Sequence, residues 1–187
     1  MELSGSTYLY TIAGLSVTFV GFSALVVLLR QIVGGAMTRL DTLITRIFIQ
    51  LGFIVVAGAM LPPLLSLFHL SPDRIWRISS AIAAIPAFLF AVTYPKRRHA
   101  ASGVPTPAVI WLDILVLLLA AVALVCNAAG LGFEPGPGPF AAALTTILFL
   151  GGWAYLQALN MLLGPHLSHL GQSQNAPPAG DRGQIPR

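Results

Sequence analysis

An aspartate stands inside "PTPAVIWLDILVLLLAAVALVCN", residues 105–127, where most of the other side chains are hydrocarbon. A carboxyl group in such a run has four uses. It relays a proton, ligates an ion, forms half of a buried ion pair, or anchors the chain at water. Ionisable residues inside apolar spans are functional candidates by default, because the bilayer makes them costly. Which use applies to Asp113 depends on its depth. Pro105 and Pro107 mark the start of its helix, and Trp111 reads as an anchor at the membrane surface. Asp113 then lies only about 3 Å deeper than Trp111 along the helix axis. Two readings stay open: an interfacial acid that meets water or a nearby cation, and an intramembrane carboxylate on an ion or proton path.

A partner for that acid can be named from spacing. Arg39, Thr42, Arg46 and Gln50 are three and four residues apart, so a helix brings them onto one polar stripe. Arg46 falls at a depth similar to that of Asp113 and is its expected ion-pair partner, with Arg30 as the second choice. Asp113, Arg46 and Gln50 would together form a polar site at one end of the bundle. The plainer reading of the stripe is a solvated helix end with an arginine reaching back to the interface.

The remaining polar groups read mainly as packing devices. Gly14, Thr18 and Gly21 share one face of the first apolar run, with Ser16 and Ser23 on an adjacent stripe. Small residues let helices approach closely, and hydroxyls bond across the contact. Gly52 and Gly58 look like the matching surface. Gln157 and Asn160, on one face of the last run, and Asn127 near the end of the fourth need hydrogen-bond partners inside the bundle. Lys96, Arg97, Arg98 and His99 form a basic cluster suited to anionic lipid headgroups. His166 and His169 have no third ligand in prospect, so no metal and no cofactor are expected. Cys126 is the single cysteine, which excludes an intrachain disulfide. No HExxH, GxSxG, P-loop or GxGxxG motif occurs, and an enzyme is not expected.

These residues are positioned by elements that composition identifies. Of 187 residues, 56% are hydrophobic and 9% charged, against about 25% charged in a soluble domain. So few charges cannot cover a water-facing surface, and the solvent for most of this chain is lipid. The net charge of +4 does not point to nucleic acid, because the basic residues sit in short connections between apolar runs. Five such runs stand out, near 8–29, 47–68, 78–94, 108–129 and 140–163, where a span needs about 20 residues. The expected fold is all-α: an integral membrane bundle of five transmembrane helices over residues 1–163. A disordered cytoplasmic tail is expected over 164–187. The alternative is four spans plus a re-entrant third helix, since the third run is short and contains Ser79, Ser80 and Pro86.

Local signals extend two of the helices. "SPDRIW" offers Ser71 as a cap, Pro72 at the first helical position and Asp73 where the helix dipole favours an anion. The third helix is then expected over 72–94, with Trp76 and Tyr94 as interfacial aromatics. Thr38 three residues before Asp41 resembles a capping box, which starts the second helix near 39 and runs it to 68, loosened at Pro62 and Pro63. The proline- and glycine-rich 130–139 segment reads as a rigid hairpin loop. No basic segment precedes the first apolar run, so no cleavable leader is expected.

With five spans, Arg30, Arg39, Arg46, Lys96, Arg97, Arg98, Arg182 and Arg187 fall on one side, and Arg74 and Arg77 on the other. Basic residues prefer the cytoplasm, so the N-terminus is expected outside and the C-terminus inside. "TFVGFSALVVLLR", "PPLLSLF" and "WRISSA" resemble a group of small, uncharacterised multi-span bacterial membrane proteins. The resemblance covers roughly residues 14–85. It implies a bacterial membrane origin and carries no activity. The expected function is an oligomeric channel or transporter-like protein of a bacterial cytoplasmic (inner) membrane. The alternative is a non-transporting subunit or scaffold that binds partner helices. Its expected partners are the lipid bilayer and either further copies of itself or another membrane protein.

Overall fold

The computed structural model describes residues 5–32, 39–103 and 107–174; the side chains at 26, 29–31, 40–41 and 158–174 lie outside that description. Five helices follow one another: α1 (Ser6–Ile32), α2 (Arg39–Ser66), α3 (Pro72–Ser102), α4 (Ala108–Ala129) and α5 (Pro137–Gln174). All five are long and apolar enough to cross a membrane. The third is a full helix of 31 residues, about 46 Å long at 1.5 Å per residue, rather than a re-entrant segment. The bundle is all-helical among the described residues.

Consecutive helices pack as antiparallel neighbours, and α5 closes the bundle by returning against α2 and α1 while also touching α3 and α4. α1 lies at one edge, against α2 and α5 only. The starts of α1 and α5 lie side by side, joined by the Tyr8 and Thr145 hydroxyls at 2.9 Å. The opposite end carries the basic residues of α2 and α3.

Each helix ends where its chemistry stops it. α4 begins after Pro107 and ends at Gly130, which takes a left-handed φ of 72° that L side chains resist. The amides of Gly130 and Leu131 both donate to the Cys126 carbonyl, satisfying groups a helix end leaves open. α3 does not stop at Tyr94. Helical hydrogen bonding continues through the basic cluster to Ser102 and ends on Gly103, with φ of 66°. The helix is about 16 Å longer than the roughly 30 Å hydrocarbon layer, so one end stands outside the lipid. Ser71 caps α3 through its carbonyl, which accepts from Ile75 N–H at 3.1 Å, while its hydroxyl makes no capping bond. α5 likewise passes residue 163 and stays helical to Gln174, so the first part of the expected tail is helix. Residues 175–187 lie outside the described residues.

The core is aliphatic and small. Val55, Ala59, Ala87, Leu117, Leu124, Leu144 and Ile147 are buried at its centre. The small-residue expectation is corrected in its face on α1, and of its two expected partners Gly52 meets α1 while Gly58 does not. Gly14, Thr18 and Gly21 are exposed on the outside of α1, and a methyl group added at Gly14 or Gly21 meets nothing within 4 Å. The packing face of α1 is Leu9, Ile12, Ala13, Ser16 and Ser23. Ser16 donates to the Gly52 carbonyl at 3.0 Å, and a methyl at Gly52 would run into Val20 Cγ2. Gly58 instead faces α5, where an added methyl would stand 2.9 Å from Leu144 Cδ2. Gly52→Ala is therefore expected to destabilise the bundle by about 1–3 kcal/mol, the usual cost of overpacking. Gly14→Ala and Gly21→Ala should leave stability unchanged. Thermal unfolding of the three variants in one detergent checks this, and equal behaviour would contradict the α1–α2 register.

Candidate functional site

Asp113 lies on the second turn of α4, about 8 Å along the axis from its first residue. Its side chain is partly buried and lines a cavity of about 50 Å³ between α2, α3, α4 and α5. Leu51 of α2, Phe90 and Tyr94 of α3, Leu117 of α4 and Leu150 of α5 form much of the wall. The sequence dictates this arrangement by helical periodicity. Ile110, Asp113, Ile114 and Leu117 repeat at three and four residues, so they share the inward face of α4 and all line the cavity. Phe90, Ala91 and Tyr94 do the same on α3. The rings of Phe90 and Tyr94 stack nearly parallel, with centroids 5.8 Å apart.

The expected ion pair is not formed. Asp113 makes no hydrogen bond or ion pair with any described residue, and Arg46 is exposed on α2. The physical reason is azimuth. The α2 residues that face the cavity are Ile47 and Leu51, and Arg46, one residue before Ile47, points about 100° around the helix from it. Gln50 is also separate from Asp113 in its bonding. Its Oε1 accepts from Arg97 Nη1 of α3 at 3.1 Å. Arg30, the second choice, has its side chain outside the described residues.

The basic cluster is divided in two by the helix it rides on. Lys96, Arg97 and His99 are exposed, as contact with anionic headgroups requires. Arg98 turns inward and donates from Nη1 to the Tyr94 hydroxyl at 3.5 Å, while its Nε is buried without a partner. Tyr94 is thus part of the cavity wall rather than a surface anchor. Trp76 is likewise internal, 3% exposed against the ring of Phe140. Trp111, at 53% exposed, is placed as an anchor would be. The periodicity of "FAVTY" with "IWLDI" was the signal that could have joined Phe90 and Tyr94 to Asp113.

Asn127 marks the other end of the bundle. It is fully buried. Its Nδ2 donates to Ser80 Oγ at 2.8 Å and to the Gly136 carbonyl at 3.2 Å, and its Oδ1 accepts from Gly136 N–H at 3.1 Å. One amide thereby fastens α4 to α3 and to the loop before α5. Gln157 is half-buried; the side chains of Asn160, His166 and His169 lie outside the described residues. Among the described residues no group of three His, Cys, Asp or Glu side chains is placed to hold a metal.

The arrangement offers one carboxylate, unpaired among the described residues, in the wall of a mostly apolar cavity that also holds two stacked rings. It attracts positive charge and gives it little water. Comparison with known proteins finds no match: no family model, curated protein or solved structure is similar to this chain.

Proposed function

We propose that this chain is a multi-pass protein of a bacterial cytoplasmic membrane that admits a cation at Asp113, acting as a small channel or transporter-like protein in an oligomer. The observation that carries the reading is a carboxylate with no partner among the described residues, facing a cavity shared by four helices. A lone charge at this depth costs a few kcal/mol, which a bound cation would offset. The basic end of the bundle is read as cytoplasmic, on the preference of lysine and arginine for that side. That places the N-terminus outside, the C-terminus inside, and Lys96 and Arg97 against anionic headgroups. No catalytic step is assigned to the protein. Beyond Leu117 the bundle interior is closed by Leu124, Leu144 and Ile147, so a complete path would run between copies rather than through one chain.

Purified protein in liposomes, assayed for proton and monovalent cation flux, tests the proposal. Flux is expected in the wild type and a loss of about tenfold or more in Asp113→Asn, since neutralising a partly buried carboxylate removes several kcal/mol of attraction. Wild-type flux that persists unchanged in the variant would overturn it. Absence of flux would favour the second reading, a non-transporting membrane subunit. That reading draws on the sealed middle of the bundle and on a groove of about 620 Å³ along the outside of α3 and α4. The groove floor includes Ala81, Ala84, Ala121 and Ala128, small enough for the backbone of a partner helix to approach.

A further inference from the structure

The geometry of the Asp113 cavity points to its ligand class: a small organic ammonium ion, held by the carboxylate and by the stacked rings of Phe90 and Tyr94. This rests on the reading that Asp113 faces a cation and goes further in naming which. Three observations select it.

The first is charge. Asp113 is the single anionic group in the cavity wall and has no cationic partner among the described residues. An anion would be repelled, and a neutral ligand would leave the carboxylate unmatched.

The second is the scarcity of oxygen. A hard metal cation needs about six to eight oxygen ligands. The wall supplies two oxygen-bearing side chains, Asp113 and Tyr94, and is otherwise hydrocarbon and ring. An alkylammonium ion brings its own apolar surface and needs no coordination shell. Aromatic rings attract it through the negative potential of their faces, by about 0.5–2 kcal/mol per favourable contact.

The third is size. The cavity holds about 50 Å³. One water needs about 10–15 Å³ of such space, so the cavity accepts a body of about four heavy atoms. That fits a methylated ammonium and excludes a bulky dye-like cation without opening of the helices.

Arg98 opposes the cation. Its Nη1 lies 3.5 Å from the Tyr94 hydroxyl, which puts a positive charge at the rim. That charge weakens binding, so its removal should act in the direction opposite to removal of the Asp113 charge. A merely structural role for either residue would not produce this pair of opposite signs.

The test is calorimetric titration of the full-length protein in detergent with trimethylammonium chloride, using sodium chloride at equal ionic strength as the blank. Saturable binding is expected in the wild type. It should weaken at least about tenfold in Asp113→Asn, weaken about three- to tenfold in Phe90→Leu, and tighten in Arg98→Gln. Equal unfolding temperatures across the set exclude loss of fold as the cause; should Asp113→Asn unfold, the Phe90→Leu and Arg98→Gln pair decides. No saturable binding in the wild type, or equal binding in the variants that remain folded, overturns the inference. Asp113-dependent proton flux without trimethylammonium binding would defeat the ligand class and leave the transport reading standing. Asp113-dependent binding without any flux would do the reverse.

Discussion

Replacing Asn127 with leucine should lower the stability of the bundle by about 2–4 kcal/mol. Leucine fills the same volume, so the loss is not a cavity. It comes from hydrogen bonding. Without the amide, the Gly136 N–H and carbonyl lose their partner, and each unsatisfied buried group costs about 1–3 kcal/mol. Gly136 is only half-buried, and water reaching it from the membrane surface holds the sum below the full figure. Ser80 can turn back to its own helix, as Ser23 and Thr18 already do. Asn127→Asp should do no better, since a carboxylate accepts from Gly136 N–H but cannot donate to its carbonyl. Equilibrium unfolding in mixed micelles, with Cys126→Ala beside it, gives the measurement. A change below about 0.5 kcal/mol, the range of neutral surface substitutions, would show that the loop is held some other way.

Phe140→Ala should cost about 3–5 kcal/mol, the range for deleting a buried aromatic ring. Phe140 is fully buried at the start of α5, with the Trp76 ring 5.7 Å away and tilted by 55°. Trp76→Ala should cost a similar amount. The double variant should lose less than the two single losses added together, because rings in contact share one packing term. Phe149 supplies the control. It stands about two and a half turns further along the same helix at 72% exposed and faces lipid in a membrane. Exchanging it for alanine moves a side chain between two hydrocarbon surroundings and should change stability by less than about 0.5 kcal/mol. The same unfolding assay reads all four proteins. Equal losses at Phe140 and Phe149 would contradict the assigned inward face of α5.

How far the sequence reveals this molecule differs by feature. The number of helices and the bounds of α4 are legible in it, since Pro107 and Gly130 punctuate the fourth helix at both ends. The ends of α3 and α5 are not. Hydropathy marks where lipid stops, whereas a helix stops where its hydrogen bonds do. Lys96, Arg97, Arg98 and Ala100 favour helix, so α3 continues past the hydrocarbon until Gly103. The buried face of α1 was ambiguous, because in lipid both faces are apolar and two stripes of small residues compete. Ser16 won over Gly14 through its bond to the Gly52 carbonyl. Depth along a helix is readable from residue counts, but direction around it depends on neighbours. That is why Arg46 matches Asp113 by residue count and still does not pair with it, and why spacing alone does not bring Phe90 and Tyr94 beside Asp113.

The closing position of α5 bears on the order in which the molecule is made. Ribosomes deliver α1 first and α5 last, yet α5 is the helix that touches all four others. Until it arrives, Gly58 on α2 has no leucine to seat and Trp76 on α3 has no Phe140 ring against it. The nascent protein must therefore carry these contacts open while its first four spans, each already packed against its neighbour in sequence, stand together in the bilayer. Quality-control proteases acting on chains cut short before Pro137 would meet an unfinished assembly, whatever the state of the first four spans.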